Sequence, residues 1–270
     1  MARSSAGESS LSRAVRVFET FDTGVRDLSA TQIAEKSGMP LSTTHRLLGE
    51  LVELGLLERL PTRRYRIGLR MWEFAVRTPG ALGIREIAMP ILRATHAAIG
   101  QNLQLGVLHD DEVLYLERLS APRSAVNFVV VGGRMPFYST SSGLVLAAFS
   151  DQETRESMLR QPRAPFAFAP LRSPAEMRQD LKTIRQQGYA VTKGYIDPAA
   201  TAIAVPVLGI MGNAVAAISA IVPSEDPREE QVLSVLLPAA RAIGSALKRH
   251  YSGYGDSVAR AAGSPHQMEN

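Results

Sequence analysis

The sequence predicts an α+β fold in two regions, and three observations carry that expectation. Two helices between Ser29 and Leu54 are fenced by capping and breaking residues. A short alternating segment with a basic edge, Arg64-Tyr65-Arg66-Ile67, follows them. From Gln101 onward the apolar residues change from helical spacing to alternation, the mark of strands. At 270 residues and 45% hydrophobic content, the chain is long enough for two ordinary domains with their own cores.

Residues 1–9 are rich in Ser, Gly and Ala and are expected to be disordered. Residues 10–68 read as one small domain. Its first helix carries Leu11, Ala14, Val15, Val17, Phe18 and Phe21. The second opens at Ser29, with Gln32 three residues on, the spacing at which each side chain satisfies the other's free backbone amide. Gly38 ends it, and Pro40 suits the first position of the next helix, where an amide would go unused. That third helix, 40–54, aligns Leu47, Leu51 and Leu54 on one stripe, continued by Thr44. Ser42, His45, Arg46, Gly49 and Glu53 fall opposite, with Thr43 at the margin. Beyond Gly55, two short extended segments around a Pro-Thr-Arg turn form a hairpin, Tyr65 and Ile67 on one face and Arg64 and Arg66 on the other. Three helices and a basic hairpin are the parts of a winged helix-turn-helix.

Such a domain presents its third helix to the major groove of double-stranded DNA. Arg46 suits bidentate reading of a guanine, Ser42 and Thr43 suit hydrogen bonds to phosphate or base, and Arg63, Arg64 and Arg66 suit phosphates beside the groove. The net charge is only +4, too small for an indiscriminate polyanion binder, so the grouping of arginines between Arg59 and Arg77 carries the argument.

A linker helix is expected over 69–83, then a second domain over 84–250. It opens with a helix from about Ile84 to Ile99. Strands are expected over 103–108, 113–119 and 126–131, a short helix after Ser142, and a longer helix over 174–187. Strands over 189–192, 202–208 and 214–222 and a terminal helix over 228–250 complete it, and residues 251–270 are expected to be flexible.

Several function classes drop out. The chain has no cysteine, which removes disulfides, thiolate catalysis and cysteine-held zinc. No run approaches the ~18 apolar residues of a membrane span, and no secretory leader opens the chain, so no membrane partner and a cytoplasmic location are expected. Ser139-Thr140-Ser141-Ser142-Gly143 is not a nucleophile elbow, Gly132-Gly133 lacks dinucleotide-binding spacing, and Asp110-Asp111-Glu112 reads as a turn rather than a metal site. No catalytic residue, cofactor or metal is expected. The competing class is a small-molecule-modifying enzyme with an accessory winged-helix domain, which would need a convergent nucleophile, base or metal set.

The runs Leu11-Ser-Arg-Ala-Val, Leu28-Ser-Ala-Thr-Gln-Ile-Ala-Glu-Lys-Ser-Gly-Met-Pro-Leu-Ser-Thr-Thr-His-Arg-Leu-Leu and Tyr65-Arg-Ile-Gly-Leu-Arg resemble the IclR family of bacterial regulators. Met135-Pro-Phe-Tyr-Ser-Thr-Ser-Ser-Gly, Gly188-Tyr-Ala-Val and Ala202-Ile-Ala-Val-Pro-Val extend the likeness to about His250. The resemblance implies a GAF-like C-terminal effector-binding domain, a linker helix that pairs two DNA-binding domains, and homodimers or tetramers. It implies DNA contacts from Ser42, Thr43, His45 and Arg46, with Leu41 standing where the family often has a basic residue. The effector site it implies comprises Ser141, Ser142, Gly143, Thr192, Lys193, Thr201, Ala202, Ser219 and Ile221. Thr192-Lys193 stands where relatives tend to be acidic, and Ile221 where they can have serine. Free amides and hydroxyls at the start of the helix near Ser141 would attract a carboxylate. The expected effector is therefore an organic anion with an apolar body, such as an aromatic acid, held by Ser141 and Ser142 with Val129, Ala202 and Ile221 as apolar surface, and with Lys193 either joining the two serines or facing solvent. RNA polymerase is a further candidate partner.

Overall fold

Helices of the N-terminal unit start where a side chain meets their free amides. In a computed structural model that describes residues 8–21, 27–75, 81–122, 128–225 and 228–262, Ser9 Oγ accepts from the Ser12 amide at 3.0 Å and opens α1 (Ser10–Glu19). A two-residue strand, β1 (Leu28–Ser29), leads to α2 (Ala30–Ser37), where Ser29 and Gln32 exchange hydrogen bonds as their spacing predicts. Gly38 closes α2 at φ 64°, a left-handed conformation that costs glycine nothing. Pro40 caps α3 (Leu41–Glu53) with an extended ψ of 140°, one position earlier than the first helical place expected for it.

The two faces of α3 are those the periodicity predicts. Thr44, Leu47, Leu48 and Leu51 are buried, Ser42, His45 and Arg46 are exposed, and Thr43 is intermediate. Leu54 departs from the expected stripe because the helix has already ended, and it lies half exposed. The hairpin is β2 (Leu57–Arg59) and β3 (Arg64–Ile67), with β1 on the free edge of β3. Tyr65 enters the core beside Val17, Ile33 and Leu48, whereas Ile67, expected on the same buried face, is exposed. Leu11 and Val15 of α1 are exposed as well. In α4 (Leu69–Ala75) no side chain is buried, and Leu69, Trp72 and Phe74 face solvent.

The chain divides into two units, 1–79 and 80–270. The second opens with α5 (Ala81–Ile99), then β4 (Asn102–His109), β5 (Glu112–Leu119) and β6 (Arg134–Pro136). One 3-10 turn (Phe137–Ser139), α6 (Ser141–Ala148), α7 (Gln152–Arg160) and α8 (Pro174–Gln187) follow. The chain then returns to the sheet as β7 (Ala190–Lys193), β8 (Ala200–Leu208) and β9 (Ala214–Pro223) before α9 (Glu229–Ala262). The six strands form one antiparallel sheet in the order β6-β5-β4-β9-β8-β7. Alternation splits its side chains between two cores. Leu103, Leu105, Ile203, Val205 and Ile218 pack with α5 and α9, while Ala190, Ala204 and Ala217 pack with α6, α7 and α8 on the other face.

Several segments differ from the expectation, among them β6, which was not anticipated, and residues 81–83, which open α5. The apolar run expected as a strand over 126–131 has no strand at 128–130, and the residues before it lie outside the described ones. There the Arg118 guanidinium donates to the Val129 carbonyl at 2.6 Å. Helix α7, unannounced by apolar periodicity, buries only Met158 and Leu159. The terminal helix continues past His250 to Ala262.

Candidate functional site

Two places on the chain could bind a partner, one in each unit. In the first, α3 and the hairpin carry the basic residues. Arg46 is largely exposed and donates to Glu50 one turn on, at 2.5 Å. Such an exposed pair contributes only ~0.2–1 kcal/mol, so Glu50 holds Arg46 only weakly. Ser42 and His45 stand exposed beside it, and Thr43 is half-buried.

The three hairpin arginines separate into different roles. Arg64 turns back onto β1, where its guanidinium pairs with the Asp27 carboxylate and donates to the Asp27 carbonyl at 2.8 Å. Arg66 lies across from Glu58 in the strand register and grips it through two hydrogen bonds of 2.9 Å. Arg63 sits at the turn with φ 59°, exposed and with no ion pair among the described residues. Of the three, Arg63 is the cation with no acidic partner among the described residues. Arg59, which is not among the expected DNA contacts, is likewise exposed on β2 without a described ion pair.

In the second unit a cavity opens between the sheet and the start of α6. Ser141, Ser142, Thr192, Ala202 and Ile221 line it, as does the apolar Val129. Five of the nine expected effector residues thus come together here. Ser219 lies just beneath, fully buried, where its hydroxyl accepts from Ser142 at 2.9 Å and donates to Gln104 at 3.2 Å. Gly143 does not line the cavity. Its amide donates to Thr140 Oγ1 at 3.0 Å, and a Cβ there would press into the Phe137 backbone, so glycine lets α6 approach the preceding turn.

Lys193 and Thr201 are not brought to the cavity. They pair with each other across β7 and β8, one step along from Thr192 and Ala202, and that one-residue step puts them on the opposite face. Lys193 is exposed, and the Thr201 hydroxyl lies 3.0 Å from Ser224 Oγ. No lysine or arginine lines the cavity among the described residues.

What remains to meet a negative charge is the start of α6. Ser141 is 1% exposed and lines the cavity, and its hydroxyl makes no hydrogen bond among the described residues. Together with the amides of Ser141 and Ser142, the Gly143 amide being taken by Thr140, it forms a donor cluster at the positive end of a helix. Gln104, Tyr115, Tyr195 and Asp197 also line the cavity and were not anticipated. Gln104 did leave a trace, as the polar residue in the run Leu103-Gln104-Leu105; nothing comparable marks Tyr115. Burial pushes the Tyr115 hydroxyl up to about 12, against weaker opposing hydrogen bonds from Thr140 and Ser142. Among the described residues no cluster could hold a metal ion, and no helix is long and apolar enough to cross a membrane.

Comparison with known proteins agrees with both halves. Residues 10–61 match the IclR helix-turn-helix domain, and residues 77–249 match the C-terminal domain of IclR bacterial transcriptional regulators. The HTH-type transcriptional regulator BhcR of Paracoccus denitrificans is 29% identical over 247 residues, covering 90% of this chain and 88% of that protein. The HTH-type transcriptional regulator XynR of Escherichia coli is 28% identical over 212 residues, 78% of this chain and 84% of that one. Among solved structures, an IclR homologue from Microbacterium hydrocarbonoxydans, in complex with 4-hydroxybenzoate, is 37% identical with a TM-score of 0.82, covering 89% of this chain and 100% of that one. These relatives are regulators and lend the enzyme alternative no support. With both domain models matched in order over nearly the whole chain, this protein belongs to the IclR family of bacterial transcriptional regulators.

Proposed function

We propose that this DNA-binding regulator takes a single-ring aromatic acid as its effector and changes its operator affinity when the acid binds. The observation that carries the reading is Ser141, a buried hydroxyl without a described partner, beside the first-turn amides of α6 in an otherwise largely apolar cavity. The carboxylate meets Ser141 and Ser142, and the ring lies against Val129, Ala202 and Ile221. The 4-hydroxybenzoate of the Microbacterium homologue supports the same chemical class.

On the DNA side, Arg46 reads a base, Ser42, Thr43 and His45 contact base edges or phosphates, and Arg63 leads the wing's phosphate contacts. Arg66 joins it by exchanging Glu58 for phosphate, whereas Arg64 serves mainly to brace the hairpin. The exposed Leu69, Trp72 and Phe74 of α4 suit pairing of two chains, so the operator is an imperfect palindrome read by a homodimer or dimer of dimers in the cytoplasm. RNA polymerase is a further partner, contacted by the promoter-bound form.

Binding to labelled DNA from upstream of the protein's own gene and neighbouring operons, measured across a salt series, tests this. Wild type should select one fragment, Arg46→Ala should lose that selection, and 4-hydroxybenzoate should shift the wild-type affinity. Equal, weak and salt-sensitive binding of both proteins to every fragment would defeat the Arg46 readout. A calorimetric screen in which only uncharged sugars or amines bound would defeat the acid reading.

A further inference from the structure

The cavity has two chemically opposite ends, and their separation can be read from the strand register. One end is the floor beneath Ser142, where Ser219 pairs with Gln104 on one side and Ala204 on the other. The other is the row of Ala200, whose amide donates to the Asp197 carbonyl at 2.9 Å and so fixes Asp197 against the start of β8. Ala204 and Ala200 are four residues apart on one strand face, about 13 Å at ~3.3 Å per residue. That span suits one benzene ring with a polar group at each end and a hydrogen bond of ~2.8 Å beyond each.

Asp197 is the acidic residue among the described lining. Its Oδ1 accepts from the Ala199 amide at 2.9 Å, while its second oxygen has no described partner and no cation pairs with it among the described residues. The neighbouring Tyr195 hydroxyl is already engaged by Arg172, which also binds Asp180 at 2.6 Å. An acceptor bearing negative charge therefore stands at the end of the cavity away from the α6 donors. The geometry points to Asp197 as the residue that selects ligands carrying a hydrogen-bond donor opposite their carboxylate and rejects those carrying a second acid there. This rests on the aromatic-acid reading above and adds to it the direction in which the ring lies, since like charge keeps the ligand carboxylate away from Asp197.

Titration calorimetry with the full chain tests it, using benzoate, 4-hydroxybenzoate, 4-aminobenzoate and benzene-1,4-dicarboxylate. Wild type should bind the hydroxy and amino acids about tenfold or more tighter than benzoate, the scale of a hydrogen bond to a charged acceptor, and the dicarboxylate most weakly. Asp197→Asn keeps the oxygen that accepts from Ala199 but offers the cavity an amide donor. It should lose most of the preference for 4-aminobenzoate over benzoate and gain the dicarboxylate, while an unchanged denaturant-unfolding midpoint shows that the fold is intact. Equal wild-type affinities for benzoate and its 4-hydroxy form, or a 4-aminobenzoate preference that survives in Asp197→Asn, would overturn the role of Asp197 while leaving the aromatic-acid reading standing. Absence of binding by any of the four acids to wild type would overturn both.

Discussion

Tyr115 illustrates how a single residue can serve packing and site together. Its ring belongs to the core beneath α6, and its hydroxyl reaches the cavity, where Thr140 and Ser142 are its partners. Burial raises its pKa from 10.0 to about 12 because the phenolate would lose its water. A folded pKa above the unfolded one means the stability is fully present below pH 10 and is lost as pH rises towards 12, where the unfolded chain releases the proton first. The loss should reach on the order of 2–3 kcal/mol. Denaturant unfolding of wild type and Tyr115→Phe at a series of alkaline pH values checks this; the two profiles should diverge only above pH 10. Parallel profiles would mean that Tyr115 ionises in the folded state as freely as in water. In the sequence this residue was one aromatic in an alternating strand, because burial at a cavity wall depends on α6, which arrives from far along the chain.

At the scale of elements, the parts governed by local chemistry were legible and those governed by partners were not. Helix α8 spans Pro174–Gln187 as expected, since Ser173 and Glu176 cap each other and Gly188 ends it. The polar face of α3 was legible from spacing alone, whereas the fate of each hairpin arginine was not. Arg64 meets Asp27, thirty-seven residues away, and no short-range pattern encodes that. The grouping of Lys193 and Thr201 with Thr192 and Ala202 is what the family resemblance implies, and it fails for a local reason, since one step along a strand reverses the face. This division predicts unlike behaviour for two adjacent wing residues. Arg63→Ala should weaken binding to all DNA sequences alike and reduce the salt slope by about one phosphate contact, with stability unchanged. Arg64→Ala should instead lower unfolding stability by about 1 kcal/mol through loss of the Asp27 brace. Titrations at several salt concentrations, paired with denaturant unfolding, separate the two. A stable Arg64→Ala protein with a reduced slope would reassign Arg64 to the DNA.

Across the whole molecule, DNA and effector are handled by different units of one chain, 1–79 and 80–270, so regulation must appear as a free energy of coupling between them. An effector that bound equally well to the DNA-competent and DNA-incompetent states would fill its cavity without altering the operator at all. If saturating 4-hydroxybenzoate changes operator affinity by some factor, linkage requires operator DNA to change 4-hydroxybenzoate affinity by the same factor, commonly ~5–150-fold. Both sides of that cycle can be measured at one protein concentration, which holds any self-association fixed. Operator affinity is read by anisotropy with and without the acid, and acid affinity by calorimetry with and without operator. Equal factors are the expected result, with Ser141→Ala weakening the acid in both calorimetric arms because the donor cluster is local to the cavity. Unequal factors would show that the four states do not close a single cycle. The acid would then be acting on the association of chains or at a second site, and Ser141→Ala would leave its effect on DNA binding intact.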